Sequence, residues 1–165
     1  MRRSWLLLSR KRFYIATMQP FSEEGATRIE KHRIQRAGLH FETLELPHRV
    51  SDAAVSPDSI VLLEDVSNLL ANAMFECNQD ETHVLADILL LTSRCQALIA
   101  VTIGEMEPGE FNAETLAFIA ALAHLNKLLF DHSDIVYEMQ GGTAVLRKGA
   151  VDDMAKIPLY RNWNL

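Results

Sequence analysis

Ile60-Val61-Leu62-Leu63, closed by Glu64-Asp65, constrains this chain more than any other stretch. Four consecutive apolar residues of strand length suit a strand buried on both faces, which a parallel sheet covered by helices provides. The run Ser59–Asp65 also delivers two carboxylates at its C-terminal end, the edge of an open α/β sheet where ligands bind. An acid ending a buried strand is the Walker-B arrangement, which holds magnesium directly or through water. Glu64 is the candidate for that duty, with Asp65 as a second carboxylate beside it. The plain alternative for Glu64 is a strand-end charge facing solvent.

The rest of the chain alternates strand-like and helix-like segments. Phe13–Ala16 is a short apolar strand rich in aromatic and β-branched types. Phe41–Leu46 alternates apolar and polar residues, the mark of a half-buried strand. Residues 48–57 read as a polar connection with a helical turn, and Asn68–Phe75 as a short apolar helix containing Asn72. Thr82–Arg94 is a clearer helix, and Ala97–Thr102 a second fully apolar strand. Asn112 caps a long helix running to about Phe130, with Glu114 in its first turn. Apolar positions nearly encircle that helix, so much of it is expected to be buried. Ile135–Met139 and Thr143–Leu146 flank Gly141-Gly142 as a hairpin. The expected fold is therefore α/β and three-layered, with a mostly parallel sheet and a C-terminal hairpin. A single domain over 1–149 is expected, followed by a tail over 150–165.

Chemistry concentrates between residues 13 and 36. Beyond Pro20, Ser22 with Glu23 and Glu24 marks a helix start, a hydroxyl cap followed by acids that complement the helix dipole. Arg28, His32 and Arg36 follow four apart, so each step turns about 400° and the three share one face. An imidazole between two guanidiniums suits a phosphate. Arg28, Lys31, Arg33 and Arg36 oppose only Glu30 there, on a chain whose net charge is −6. A basic island on an acidic protein fits a small anionic ligand, and the overall charge argues against nucleic acid or acidic membrane as partner. An exposed helix face without chemistry is the plain alternative. The five remaining histidines, His40, His48, His83, His124 and His132, fall in no constellation, and no spacing suggests a metal site. Cys77 and Cys95 have no metal-type spacing and form no disulfide framework, so a cytoplasmic setting is expected. No stretch reads as long enough to span a bilayer. Arg10-Lys11-Arg12 reads as the cationic last turn of a helix begun by Trp5-Leu6-Leu7-Leu8.

Four segments together carry a resemblance: YIATMQP, RIEKHRIQR, Ile60–Glu64 with the following SNLLANAMF, and HLNKLL before DIVYEM. In this order and spacing they resemble the adenosylcobinamide kinase/adenosylcobinamide-phosphate guanylyltransferase family of cobalamin biosynthesis. The resemblance implies a P-loop-NTPase-like fold that phosphorylates adenosylcobinamide and then transfers GMP from GTP through a guanylylated histidine. That histidine falls on His32, with Arg28 stabilising phosphate charge. The implied nucleotide contacts fall on Ala16, Thr17 and Met18, on Arg33, Ile34, Gln35 and Arg36, on Glu45, and on Glu64. GTP or ATP, Mg2+ and adenosylcobinamide are the implied small molecules, and a homo-oligomer the implied assembly.

The family opens with a strand and a G-x-x-x-x-G-K-[ST] loop, which the residues before Phe13 do not supply. Its loss is expected to leave an apolar gap in the centre of the sheet and puts the kinase half in question. After Val101-Thr102 the chain reads Ile103-Gly104-Glu105 where the family continues Asn-Glu. Two readings stay open: the kinase/guanylyltransferase itself, or a non-catalytic relative that binds nucleotide or corrinoid, or serves as a partner subunit.

Overall fold

The structure is a computed structural model that describes residues 11–19, 30, 34, 39–104, 106 and 109–150. The chain divides after Ile103 into two compact units.

The first unit is built on a parallel sheet of four strands, β1 (Arg12–Ala16), β2 (Glu42–Glu45), β3 (Ile60–Glu64) and β4 (Ala97–Val101), in the spatial order β2-β1-β3-β4. Each strand matches an expected one to within a residue or two. Phe13, Tyr14 and Ile15 of β1 and Ile60–Leu63 of β3 are buried, as two-faced burial of the central strands requires. The central gap expected of a lost strand is absent from this sheet. β3 pairs directly with β4, from Ile60 opposite Ala97 to Glu64 opposite Val101, so β3 is hydrogen-bonded along both sides. Lys11 and Arg12 are not the last turn of a helix either. Arg12 opens β1 and donates from Nη1 to the Leu39 carbonyl at 3.2 Å.

Two longer helices lie among the described residues of this unit. Helix α1 (Val66–Cys77) starts two residues earlier than the apolar pattern suggests, because Asp65 caps it by accepting from the Asn68 amide at 2.7 Å. It ends at Asn78, whose φ of 52° is a left-handed stop that asparagine tolerates. Helix α2 (Glu81–Thr92) is capped by Asp80, which accepts from the Thr82 and His83 amides. Thr82's hydroxyl, then the His83 ring and amide, hold the Asp80 carboxyl well below the usual carboxylate range. From α2, Asp87 accepts from the amides of Val50 and Ser51 at 2.7 and 3.2 Å, fixing the helical turn expected after β2.

The second unit holds helix α3 (Ala113–His132) and an antiparallel hairpin, β5 (Val136–Gln140) and β6 (Thr143–Lys148). Asn112 caps α3, accepting from the Thr115 amide at 2.8 Å. Gly141 and Gly142 turn the hairpin with φ of 55° and 82°, values that glycine adopts without strain. Lys148 donates to the Phe130 and Asp131 carbonyls at the end of α3. The expectation of a largely buried α3 does not hold. Only Leu122 and Leu125 on it are buried, while Leu116 and Phe130 are exposed, and among the described residues of this unit a two-stranded hairpin is its cover. By length and composition alone α3 could cross a membrane, a test that core helices also pass. His124, Asn126 and Lys127 interrupt its apolar run.

Candidate nucleotide site at the C-terminal edge of the sheet

Parallel register aligns the ends of three strands. Ala16 is opposite Glu45 on β2 and opposite Glu64 on β3. Paired residues in a parallel sheet share a face, so two carboxylates flank one alanine, two strand spacings or roughly 10 Å apart. Ala16 supplies only a methyl group between them. Three of the residues singled out in the sequence therefore form one rank.

The residues just beyond that rank are tied together by backbone and hydroxyl bonds. Thr17 is fully buried, and its amide donates to the Glu64 carbonyl at 3.2 Å. Its hydroxyl donates to the Asp65 carbonyl at 2.7 Å and accepts from the Asp65 amide at 2.9 Å. The chain leaving β1 is thus clamped to the chain leaving β3. Asn72, buried on α1, donates to the carbonyls of Thr17 and Pro47 at 2.9 and 2.8 Å. One amide group therefore holds α1 against the exits of β1 and β2 together.

The two acids at the end of β3 have different surroundings. Asp65 accepts three hydrogen bonds at the start of α1: from the Ser67 hydroxyl at 2.6 Å, the Asn68 amide at 2.7 Å and the Asn68 side chain at 3.0 Å. Its carboxylate is occupied with starting a helix. Glu64 is half-buried, and its Oε2 accepts from the Tyr14 hydroxyl at 2.7 Å. Among the described residues no group of three or more His, Cys, Asp or Glu side chains is arranged to hold a metal ion. A carboxylate at a strand end nevertheless suits magnesium, which keeps several waters and takes one or two protein oxygens.

Glu45 is exposed and Met18 half-buried. Ile34 is helical with its side chain 66% exposed. Arg28, His32, Arg33, Gln35 and Arg36 lie outside the described residues. Sequence reasoning missed Tyr14 and the bonding of Asn72. Tyr14 had a signal: a phenol in an apolar strand needs a partner for its hydroxyl when buried. In the β1–β3 register it is opposite Leu62, two residues before Glu64 and on the same face.

The family profile described as cobinamide kinase / cobinamide phosphate guanyltransferase matches residues 4–146. The chain belongs to this family. It is also 33% identical to the bifunctional adenosylcobalamin biosynthesis protein CobU of Escherichia coli (strain K12), over 50% of this chain and 53% of that protein. The chain spans about half the length of this relative. The parallel sheet with its helices and added hairpin agrees with the P-loop-like fold expected of a cobinamide kinase/guanyltransferase.

Proposed function

We propose that this member of the cobinamide kinase/guanyltransferase family acts in cobalamin biosynthesis, transferring GMP from GTP to adenosylcobinamide phosphate through His32. What carries the reading is the rank Glu45–Ala16–Glu64 at the C-terminal edge of the sheet, in a family whose description names this transfer. In this reading Ala16, Thr17 and Met18 meet the nucleotide where β1 ends, and Glu64 would hold Mg2+, which would offset charge on the phosphates. Asp65 is second to it, because its oxygens already start a helix. A neutral His32 nitrogen attacks the α-phosphorus of GTP, the bond to the β-phosphate oxygen breaks, and pyrophosphate leaves. The phosphoramidate keeps GMP on the chain until the phosphate of the cobinamide attacks. Arg28, Arg33 and Arg36 offset the charge that develops on phosphate oxygens. The working assembly is a homo-oligomer in the cytoplasm.

His32 and its neighbouring arginines lie within the matched residues 4–146, so guanylyl transfer is the half-reaction assigned. A second reading is a subunit that binds nucleotide or corrinoid without catalysis. Incubation with GTP labelled at the α-phosphate separates the two. Transfer through His32 gives an acid-labile, base-stable label that His32→Ala abolishes. A label that survives His32→Ala refutes the assignment, and nucleotide binding without any label selects the binding subunit.

A further inference from the structure

Away from the rank of carboxylates, three segments of the first unit converge on one thiol. Cys77, the last residue of α1, is exposed, and its Sγ lies 3.5 Å from Nδ1 of His48. The other ring nitrogen, Nε2, lies 3.5 Å from Oε2 of Glu76. Glu76 is gripped in turn by Gln19, whose side-chain nitrogen donates to both carboxylate oxygens at 3.0 and 3.1 Å. Sequence alone gave His48 no constellation. The fold supplies one by bringing the exits of β1 and β2 to the end of α1.

We infer that Cys77 is a modification site, a thiol activated by His48 that exchanges with low-molecular-weight disulfides. The order of groups is that of a nucleophile, its base and a third group that orients the base. With the Nε2 proton facing Glu76, the Nδ1 lone pair faces the thiol. His48 takes the thiol proton, and the Cys77 sulfur attacks one sulfur of the disulfide. A new S–S bond forms to Cys77 as the old one breaks, and its electron pair leaves on the departing thiolate. That thiolate recovers the proton from His48. Cys77 is oxidised to a mixed disulfide and half of the small disulfide is reduced to a thiol, so no other oxidant is needed.

Cys95 is an internal contrast. It is half-buried, its Sγ faces the Thr92 carbonyl at 3.7 Å, and burial pushes its thiol up. Gln19 follows Met18 directly, so an adduct on Cys77 would form beside the chain leaving β1. The inference does not depend on any nucleotide binding there.

The test is reaction of the full chain with oxidised glutathione at neutral pH, with each cysteine followed by peptide mass spectrometry. One glutathionyl group is expected at Cys77, and Cys77→Ser removes it while Cys95→Ser does not. The rate at Cys77 should exceed that of the same thiol in urea-unfolded chain by about tenfold. His48→Asn should abolish that advantage with the melting temperature unchanged, and Glu76→Gln should reduce it. Equal rates in folded and unfolded chain, or a folded His48→Asn variant that reacts like the parent, would overturn the assignment.

Discussion

Tyr14 and Glu64 meet across the two central strands, the phenol donating to the carboxylate at 2.7 Å from within a side chain only 4% exposed. The bond fixes one oxygen of the strand-end acid by means of the neighbouring strand. Replacing the hydroxyl with hydrogen keeps the ring and its edge-on contact with Phe41. Tyr14→Phe should therefore remain folded and lose about 1 kcal/mol of stability in urea denaturation. If Glu64 serves the nucleotide, the same variant should bind Mg-GTP more weakly than the parent while its binding of metal-free GTP is unchanged.

Glu64→Gln separates the charge from the shape. The amide is isosteric and can still accept from Tyr14 through its carbonyl oxygen, so the melting temperature should move little. Calorimetric titration of GTP with and without magnesium should show the metal's contribution reduced by about tenfold or more. Undiminished magnesium dependence would remove Glu64 from the site. A loss of several kcal/mol in stability would instead make it a buried structural partner.

Asn72 holds two loops with one amide. Truncating it leaves the Thr17 and Pro47 carbonyls without that donor, and a buried polar group that loses its partner costs about 1–3 kcal/mol. Asn72→Ala should accordingly lower stability by about 2 kcal/mol, read as a shift in the urea midpoint at constant slope. A midpoint that does not move would mean that water replaces the side chain without cost.

Asp80 gives a pH prediction with a definite sign. Its carboxyl titrates below its ordinary 3.8 in the folded chain, chiefly through the Thr82 hydroxyl and His83. The stabilisation is therefore fully present above that ordinary value and is lost as pH falls through the lower folded one. Thermal melts should rank the parent above Asp80→Ala at neutral pH, with Asp80→Asn between them because asparagine still caps. The gap between the parent and Asp80→Ala should hold down to about the ordinary value and close only in stronger acid. A gap that stays constant into strong acid would show that the carboxylate's charge is irrelevant to the cap.

The strands were legible because their signal is local. Apolar runs such as Ile60–Leu63 and Ala97–Val101 say strand without reference to partners, and Asn112 and Gly141-Gly142 punctuate by their own backbone chemistry. Which strands pair was not legible, since register depends on partners far apart in sequence. The gap expected in the centre of the sheet failed for that reason. The start of α1 was read late because the apolar pattern begins at Asn68, whereas the cap that starts the helix is Asp65, an acid first read for a metal. Within the site, Glu64 was named from its own strand and Ala16 and Glu45 through the family resemblance, and the register gathers them. Tyr14, Asn72 and the Cys77–His48 pair emerged only from the fold, because each depends on contacts between residues 25 to 55 positions apart.

The order β2-β1-β3-β4 places β1 and β3 inside the sheet, each hydrogen-bonded along both sides. Amide protons there are freed only when the sheet itself opens, so in deuterium exchange these strands should be the last of the unit to take up label. Tyr14 and Glu64 both stand on them. The carboxylate is therefore carried by the longest-lived part of the unit, and loosening of the surrounding loops need not scatter it.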